Sequence, residues 1–256
     1  MKNKEYWYIF SGDNLLLRKE DSSYSIPELE ESPIDIANSF EVTLPDGSKG
    51  IAASTKELTE NLPEGFEWMR LRPAYSVLAE QQYNNAGKAF QLLFWDINSK
   101  FCPRCGTATI HARDIMKKCP NCGKEIFPHV SPAILVLIKK GEEVLLVRSR
   151  NFRGTFFGLV AGFVETGESL EECVRREVME ETGLTIKGLR YYGNQTWPYP
   201  SNLMVGFIAE YESGTIKLQD DELSAGNFFS RDNLPEIPTH PSLARRMIDS
   251  WINKEC

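Results

Sequence analysis

Short apolar, β-like runs alternate with polar turn clusters through the first third of the chain, a pattern that predicts strands. A longer stretch with helical character follows near Ala74–Trp95. Residues 1–97 are therefore expected to form a small α+β domain. Its predicted strands are Trp7–Phe10, Leu15–Leu17, Phe40–Leu44, Gly50–Ala53 and Phe66–Leu71.

From Ser131 onward the pattern predicts strands on both sides of an internal helix. Ala133–Ile138 and Val144–Arg148 form a predicted hairpin across the polar turn Lys-Lys-Gly-Glu-Glu, and a last helix begins near Ser242. No internal repeat is apparent in the sequence. The further predicted strands are Leu189–Tyr192, Leu203–Tyr211, Thr215–Leu218 and Asn227–Ser230.

The internal helix has its own start and stop signals. Ser169 followed by Glu172 is a capping box, and Gly183 suits the left-handed residue that ends a helix. Apolar residues recur between them at helical spacing and predict a buried stripe. The stripe consists of Leu170, Cys173, Val174 and Val178.

Three glutamates share one surface of this helix. Glu177, Glu180 and Glu181 stand at i, i+3 and i+4, where like charges repel by roughly 0.2–0.5 kcal/mol per pair. They also lie near the negative end of the helix dipole. A bound cation would offset both penalties, and carboxylate oxygens suit Mg2+ or Mn2+, which bridge to phosphate oxygens and activate water. The alternative is a solvated acidic helix face.

The same segment contains a complete sequence motif. Gly162 is followed after five residues by Glu168, and after seven more by REVMEETGL at 176–184. This is Gx5Ex7REUxEExGU, with U an aliphatic residue, and the segment resembles the box of the Nudix hydrolases. The resemblance implies an α/β/α sandwich and an enzyme that cuts a phosphoanhydride in a nucleoside diphosphate linked to another group. Arg176 is expected to be a structural ion-pair partner rather than a phosphate clamp, and Glu168 is expected to support the loop and helix.

Two matching CxxC turns, each followed by glycine, lie ahead of the box. Cys102 and Cys105 form the first, Cys119 and Cys122 the second, with thirteen residues between the pairs. Such turns wrap backbone N–H groups around thiolates, and two of them make a tetrahedral all-sulfur site. One structural Zn2+ per subunit is predicted; rubredoxin-like iron and a redox CxxC are the alternatives. His111 lies between the turns, but four cysteines already complete the ligand set.

Composition narrows the class of protein. The chain has 256 residues, 41% hydrophobic and 25% charged, which is typical of a globular protein. Its N-terminus lacks the apolar run of a signal peptide and no stretch approaches eighteen apolar residues, so a cytoplasmic protein without membrane contact is expected. The net charge of −7 argues against broad electrostatic binding to nucleic acid, although a divalent metal can invert the field at one site.

A segment rich in aromatic residues and proline, NQTWPYPSN at 194–202, begins thirteen residues after Glu181. Each proline fixes its own backbone and favours an extended residue before it, so Trp197 and Tyr199 are expected on a stiff, extended rod. Rigid rings suit stacking against a flat base, and Gln195 suits hydrogen bonding to ring or carboxamide edges. The alternative is a proline-braced strand entry whose aromatic rings lie in the core.

A four-cysteine ribbon ahead of the box and a segment like SQPWPFPxS behind it together resemble the NADH pyrophosphatase branch of the Nudix hydrolases, whose members also remove NAD caps from RNA. The resemblance covers residues 100–250 well, and it implies a homodimer. It further implies that Ala161, through its carbonyl, and Glu222 join Glu177, Glu180 and Glu181 as Mg2+ or Mn2+ ligands. The implied substrate-binding residues are Phe127, Gln195, Thr196, Trp197, Pro198, Tyr199, Pro200, Ser201, Asn202 and Ala244; among them Thr196, Tyr199 and Asn202 depart from the motif.

The expected organisation is an N-terminal α+β domain at 1–97, a zinc ribbon at 98–128 and a Nudix domain at 129–256. The predicted activity is hydrolysis of the pyrophosphate of NADH or NAD to AMP and nicotinamide mononucleotide, together with removal of NAD caps from RNA 5′ ends. One to three Mg2+ or Mn2+ ions are expected, with Glu181 as the best candidate for the base or its nearest ligand. Two alternatives stay open: a Nudix enzyme for ADP-ribose, FAD or a dinucleoside polyphosphate, and a non-catalytic zinc-ribbon RNA-binding protein.

Overall fold

The protein is described by a computed structural model that covers residues 4–150, 154–219 and 221–256. It divides into two compact units. The N-terminal unit contains Met1–His129 together with the short segment Pro198–Ser201, and the C-terminal unit contains Val130–Trp197 and Asn202–Cys256. Within the described residues, no helix is both long enough and apolar enough to cross a membrane.

A mixed sheet forms the framework of the N-terminal unit. Its order is β3-β2-β1-β6-β5, with β4 paired to β1 and β7 paired to β2. Strands β1 and β6 run parallel, and the other pairs are antiparallel. The strands are β1 (Glu5–Ser11), β2 (Asn14–Glu20), β3 (Ser23–Ser25), β4 (Glu28–Leu29), β5 (Asn38–Thr43), β6 (Lys49–Ser54) and β7 (Phe66–Arg70).

The helical stretch expected near Ala74–Trp95 is two helices, α1 (Leu71–Ala74) and α2 (Glu80–Asn98). The helical character is confirmed, and the two helices are separate because the backbone N–H groups of Tyr75, Ser76 and Val77 bond in i→i−3 turns, which end α1 before α2 begins. The apolar side of α2 packs against one face of the sheet, where it buries Tyr8 and Phe10.

Among the described residues, no helix packs against the opposite face of this sheet. Ile9, Leu16 and Ala53 are buried there beneath side chains from irregular segments, including Ile34 and Leu62. Alternate residues of each strand thus bury into different layers, as the two-residue period of a strand requires.

The cysteine-bearing region forms a small antiparallel sheet of its own. Its order is β10-β9-β8, with β8 at Ile110–Arg113, β9 at Met116–Lys118 and β10 at Glu125–Ile126.

The C-terminal unit contains a second mixed sheet, of order β14-β15-β11-β12-β16, with β13 paired to β11. Strands β11 and β15 are parallel, and the predicted hairpin is confirmed by the antiparallel pairing of β11 with β12. The last helix starts after Ser242, whose side chain caps it, as predicted. The elements are β11 (Ser131–Lys140), β12 (Glu143–Ser149), β13 (Val160–Phe163), α3 (Leu170–Thr182), β14 (Leu184–Trp197), β15 (Asn202–Gly214), β16 (Leu223–Ser230) and α4 (Leu243–Ile252).

The expected α/β/α sandwich is confirmed by the two cores of this sheet. Along β11, Ile134 and Val136 pack into the core that contains the apolar stripe of α3. Leu135 and Leu137 point the other way, into a core that includes Trp251 of α4. One helix therefore covers each face of the sheet.

The predicted strand Thr215–Leu218 was wrong. These residues follow β15 without strand pairing, and their backbone serves the end of α3 instead. Lys217 N donates to the carbonyl of Thr182 and Gln219 N donates to that of Glu181, at 2.8 and 3.1 Å. The unsatisfied carbonyls at a helix C-terminus need such donors, and this need outweighs the β propensity of the segment.

The two sheets repeat one strand plan, which the sequence did not reveal. The pairings of β1 with β2, β4 and β6 match those of β11 with β12, β13 and β15 in direction and order. The pairings of β5 with β6 and of β2 with β7 likewise match those of β14 with β15 and of β12 with β16. A terminal helix follows in each case, α2 in one sheet and α4 in the other. The expectation of no internal repeat was therefore wrong at the level of topology.

Candidate active site

The helix α3 is fixed at both ends as the sequence predicts. The Ser169 hydroxyl accepts from the N–H of Glu172, and the Glu172 carboxylate accepts from the N–H of Ser169 at 2.8 Å, which completes the capping box. Gly183 ends the helix at φ +68° and donates to the carbonyl of Met179. Because the helix is anchored at both ends and along its buried stripe, its glutamates have fixed positions.

Arg176 joins the loop before α3 to the helix. Its Nε and Nη2 atoms bind the two carboxylate oxygens of Glu168 at 2.7 and 2.9 Å, and Nη2 also donates to the carbonyl of Phe163. The Arg176 guanidinium and the Glu165 N–H hold the pKa of Glu168 at about 2. The expected structural ion pair is therefore confirmed. Nη1 of the same arginine reaches Glu177 at 2.8 Å and Glu180 at 3.0 Å.

Gly162 is required by the position of Glu177. A Cβ atom built at Gly162 would lie only 1.9 Å from the carboxyl carbon of Glu177. The glutamate side chain thus rests on the bare backbone of β13, where it is almost fully buried. Burial raises the pKa of Glu177 above its usual range, and the Arg176 guanidinium only partly opposes this. The glycine of the box is therefore the space that the first glutamate occupies.

Glu181 is the most unusual titratable group of the site. Only 5% of the residue is exposed, and its Oε2 atom is buried without a hydrogen-bond partner among the described residues. Burial raises the pKa of Glu181 to about 8, with smaller contributions from the charges of Glu177 and Glu222. A buried carboxylate oxygen without a donor is costly unless a proton or a cation satisfies it. The donor set of hard carboxylate oxygens fits Mg2+ or Mn2+.

A cavity of about 350 Å³ opens beside Glu181. The structure brings three of the predicted metal-site residues into its lining, Ala161, Glu181 and Glu222. Glu222 is exposed, and 53% of the Glu180 side chain is exposed although its carboxylate binds Arg176. The remaining lining residues are Val147, Ser149, Phe156, Gly158, Leu159, Phe163 and Leu223.

Phe163 is a candidate that sequence reasoning missed. It directly follows Gly162 at the end of β13, and 56% of it is exposed although it is a large apolar residue. Phe163 lines the cavity that contains Glu181, so its aromatic side chain is a candidate flat surface at this site. Its position next to the box glycine was the available signal.

The aromatic and proline segment does not form the expected extended rod. From Gly193 to Trp197, β14 pairs residue by residue with β15 as far as Asn202, so residues 198–201 form the turn between them. The ladder requires the chain to reverse within these four residues, and this requirement overrides the extended preference of an isolated proline segment. Trp197 is half-buried at the end of β14.

The other predicted substrate-binding residues lie in different surroundings. Gln195 donates to the carbonyl of Pro241 at 2.8 Å, and its Oε1 atom is buried without a described partner. Thr196 is exposed on β14, and Ala244 is half-buried against the core beneath α4. The residues that belong to the N-terminal unit are Phe127, which is half-exposed, and Pro198, Tyr199, Pro200 and Ser201 of the turn.

The four cysteines of the ribbon converge on one point. Their Sγ atoms all lie within 4.8 Å of one another, with Cys102–Cys122 at 3.6 Å and Cys105–Cys119 at 3.5 Å. Tetrahedral Zn–S bonds of about 2.3 Å place sulfurs roughly 3.8 Å apart, so the quartet fits a zinc ion. Gly106 and Gly123 donate to the carbonyls of Cys102 and Cys119 in equivalent turns.

A second buried carboxylate, Asp96 of α2, joins the ribbon to the N-terminal sheet. Its Oδ1 atom lies 2.6 Å from both Lys117 Nζ and His111 Nε2, and its Oδ2 atom accepts from Asn38 Nδ2 at 2.6 Å. Burial acts to raise the pKa of Asp96, but these hydrogen bonds outweigh it and hold the pKa below its usual range. His111 thus binds a carboxylate rather than the cysteine quartet.

Known protein families match nearly the whole chain. Three family models cover residues 4–95 (NADH pyrophosphatase-like rudimentary NUDIX domain), 97–127 (NADH pyrophosphatase zinc ribbon domain) and 128–251 (NUDIX domain). Among solved structures, a NUDIX hydrolase from Nitrosomonas europaea is similar with a TM-score of 0.50 and 20% identity, covering 60% of this chain and 91% of that one. That likeness concerns the fold alone.

Curated relatives agree with the family models. A protein from Chromobacterium violaceum named NAD-capped RNA hydrolase NudC is 37% identical and covers 95% of this chain and 90% of its own. A protein of the same name from Pseudomonas aeruginosa is 43% identical over 73% of this chain and 68% of its own. With its ribbon, its repeated sheet and its complete box, the chain belongs to the Nudix hydrolases, in the NADH pyrophosphatase family that includes the NudC proteins.

Proposed function

We propose that this protein hydrolyses the central pyrophosphate bond of NADH or NAD, giving AMP and nicotinamide mononucleotide, and that it removes NAD caps from RNA 5′ ends. The observation that carries the proposal is the buried Glu181 carboxylate, whose Oε2 atom has no donor among the described residues and which lines a cavity together with Glu222 and the exposed Phe163. The acidic groups suit a cation-bridged diphosphate, and the ring suits a flat base. The names of the relatives agree with this substrate class.

The residues of the site are proposed to have three roles: binding metal ions, accepting a proton and holding the helix to its loop. Glu177, Glu180, Glu181, Glu222 and the carbonyl of Ala161 would hold one to three Mg2+ or Mn2+ ions. Such ions, when bound, polarise a diphosphate and lower the pKa of an attacking water. Glu181 accepts the proton of that water or holds the nearest ion, because its buried Oε2 atom at the cavity has no hydrogen-bond partner among the described residues. Arg176 keeps the helix and its loop together rather than binding phosphate, since its donors are engaged by Glu168, Glu177 and Glu180.

Substrate recognition is proposed to combine two aromatic surfaces. Phe163 provides a ring at the cavity, and Trp197 a second one at the end of β14. The remaining residues proposed to contact or shape the substrate site are Phe127, Gln195, Thr196, Pro198, Tyr199, Pro200, Ser201, Asn202 and Ala244. Because the net charge is −7, capped RNA is expected to be recognised at its NAD end, with little hold on the downstream strand.

We also propose that the protein is a cytoplasmic homodimer. Among the described residues, seven of thirteen large exposed hydrophobics lie between Phe94 and Val130, and exposed apolar surface of this kind favours a protein interface. A thiolate metal site requires reduced cysteines, which favours a reducing compartment.

Structural zinc in the ribbon is tested by metal analysis. Purified protein is expected to contain one zinc per subunit, and Cys119→Ser should lower zinc content and thermal stability together, because metal binding contributes folding free energy. Cys256→Ser, a change outside the quartet, is the matched control. Iron in place of zinc, or no metal, would refute this part of the proposal.

The activity is tested by chromatography of products. NADH, NAD, ADP-ribose, FAD, a dinucleoside polyphosphate and NAD-capped RNA are incubated with Mg2+, with Mn2+ and with chelator. Cation-dependent release of AMP and reduced nicotinamide mononucleotide from NADH is expected at the highest kcat/KM. A higher kcat/KM for ADP-ribose or FAD would assign the protein to another Nudix substrate, and RNA binding without any hydrolysis would favour the non-catalytic alternative.

A further inference from the structure

The turn that follows Trp197 lies in the N-terminal unit, although the strands that it joins lie in the C-terminal unit. Pro198 is buried, and the ring of Tyr199 packs against the apolar core formed by α2 and the first sheet. Ser201 donates to the carbonyl of His129 at 2.6 Å. The tip of a hairpin with proposed substrate-binding residues is thus fixed by residues far away in sequence.

Two residues of α2 make the contacts. The hydroxyl of Tyr83 lies 2.7 Å from the hydroxyl of Tyr199. One turn further along the helix, Gly87 leaves room for the ring of Pro198, since a Cβ atom built there would lie 3.2 Å from Pro198 Cγ. Tyr83 and Gly87 are four residues apart and so face the same side of the helix.

The hydroxyl pair is specific to this chain's version of the segment. The motif SQPWPFPxS has phenylalanine where this chain has Tyr199, so the hydroxyl is an addition that needs a partner when buried. Burial raises the pKa of both phenols, so both remain protonated near neutral pH and one donates to the other. Tyr83 supplies that partner.

We propose that Tyr83 and Gly87 are positioning residues for substrate binding, acting through the turn Pro198–Ser201 on the adjoining Trp197. The N-terminal domain then has a role in the reaction without contributing a catalytic group: it fixes the hairpin tip that presents the tryptophan. This inference rests on the proposed function. It also changes the role of Tyr199, from a residue that contacts substrate to one that anchors the turn.

A double-mutant cycle tests the hydroxyl pair. Tyr83→Phe and Tyr199→Phe each leave a buried hydroxyl deprived of this partner, and each is expected to raise KM for NADH by up to about tenfold, with kcat little changed. The double variant removes both hydroxyls, so its fold increase in KM over wild type should be smaller than the product of the fold increases of the two single variants. Tyr75→Phe is the matched control, because its ring packs edge-on against Tyr83 at 5.3 Å but lies outside the pair; its KM should equal that of wild type.

Gly87→Ala tests the close contact between α2 and the ring of Pro198. The added methyl group should displace Pro198 and raise KM for NADH more than KM for a small diphosphate ester without a flat ring. Asn84→Ala, an exposed change on the same helix, is its control. Thermal unfolding of each variant shows that it is folded at the assay temperature.

The outcomes separate the two hypotheses. Wild-type protein that fails to hydrolyse NADH overturns the proposed function. If the wild type is active, three results would overturn the positioning pair and leave the proposed function intact. The increases in KM of the two single variants multiply in the double variant, only Tyr199→Phe is impaired, or all variants have the KM of wild type.

Discussion

The two sheets of this protein share one strand plan, and they differ most in the connection that follows the third shared strand. In the C-terminal sheet, residues 164–183 join β13 to β14 and contain α3 with the acidic cluster. In the N-terminal sheet, residues 30–37 join β4 to β5 without a helix. The face that α3 covers in one sheet is covered in the other by irregular segments, beside a cavity of about 850 Å³. The strands are thus a scaffold, and the proposed chemistry resides on the inserted helix and the residues that face it.

The two halves also treat a buried carboxylate differently. Asp96 and Glu181 are about equally buried, at 4% and 5% exposed. Asp96 has partners on both oxygens and a lowered pKa, whereas Glu181 has an oxygen without a described donor and a pKa raised to about 8. Burial alone therefore does not mark a functional carboxylate. The combination of burial with missing donors does, because it leaves the group to be satisfied by a cation.

Replacing Glu181 gives the largest expected effect. Glu181→Gln should lower kcat for NADH by about 10²–10⁴-fold, the range for losing a general base or its equivalent, while the fold persists. The exposed Glu171→Gln on the same helix is the control and should retain wild-type turnover. Wild-type kcat in Glu181→Gln would contradict the assigned role.

The same variant tests the sign of the pKa shift. The pKa of Glu181 is roughly 4.3 in the unfolded chain and about 8 in the folded protein. Because the folded state holds this proton more tightly, stability falls as the pH rises between these two values. Metal-free wild type should therefore lose stability over this interval relative to Glu181→Gln, and Mn2+ should reduce the loss. Parallel stability curves for the two proteins would show that the carboxylate is satisfied by the protein itself.

Asp96 is the opposite case. Its replacement is expected to lower the free energy of unfolding strongly and to leave kcat unchanged. Asp96→Asn leaves Lys117 buried without its carboxylate, which should cost about 3–5 kcal/mol of unfolding free energy. Because the folded pKa of Asp96 is lowered, its contribution is present above about pH 4 and is lost as the pH falls through the lowered value. Denaturant unfolding at neutral and acid pH measures this, with the exposed Asp232→Asn as control. A deficit that persists unchanged at acid pH would contradict the ion-pair account.

The sequence predicted local chemistry better than long-range placement. The caps of α3 and the cysteine quartet follow from short spacings, and the structure contains both. The repeat of the strand plan was not visible, because it lies in pairings between distant strands whose sequences need share only apolar character. The turn at 198–201 was predicted as a rod for a related reason: the ladder of β14 and β15 determines it, and no local preference of proline reports that ladder.

Gly162 tests whether the space that this glycine leaves on β13 positions the carboxylate of Glu177. Gly162→Ala would place a methyl group on the carboxylate of Glu177 and displace it, and a misplacement of about 1 Å can cost about 10²-fold in rate. Gly193→Ala on β14 is the matched control, because its added Cβ would meet nothing within 4 Å. The measurement is kcat for NADH together with the affinity for Mn2+, and both should fall. A normal Mn2+ affinity with reduced kcat would indicate that Glu177 positions substrate rather than metal.

Phe163 is expected to give the smallest effect, and it distinguishes a substrate surface from an exposed apolar residue. Removing the ring by Phe163→Ala should weaken NADH and NAD-capped RNA in parallel by about 1–3 kcal/mol, the range for one base stacked on an aromatic ring. Phe163→Tyr keeps the ring and should retain most of the affinity. Met179→Ala, which removes a half-exposed apolar side chain from α3, is the control, since Met179 does not line the cavity. Equal KM values for wild type and Phe163→Ala would show that the ring beside Glu181 does not bind the substrate, and the proposed base platform would then rest on Trp197 alone.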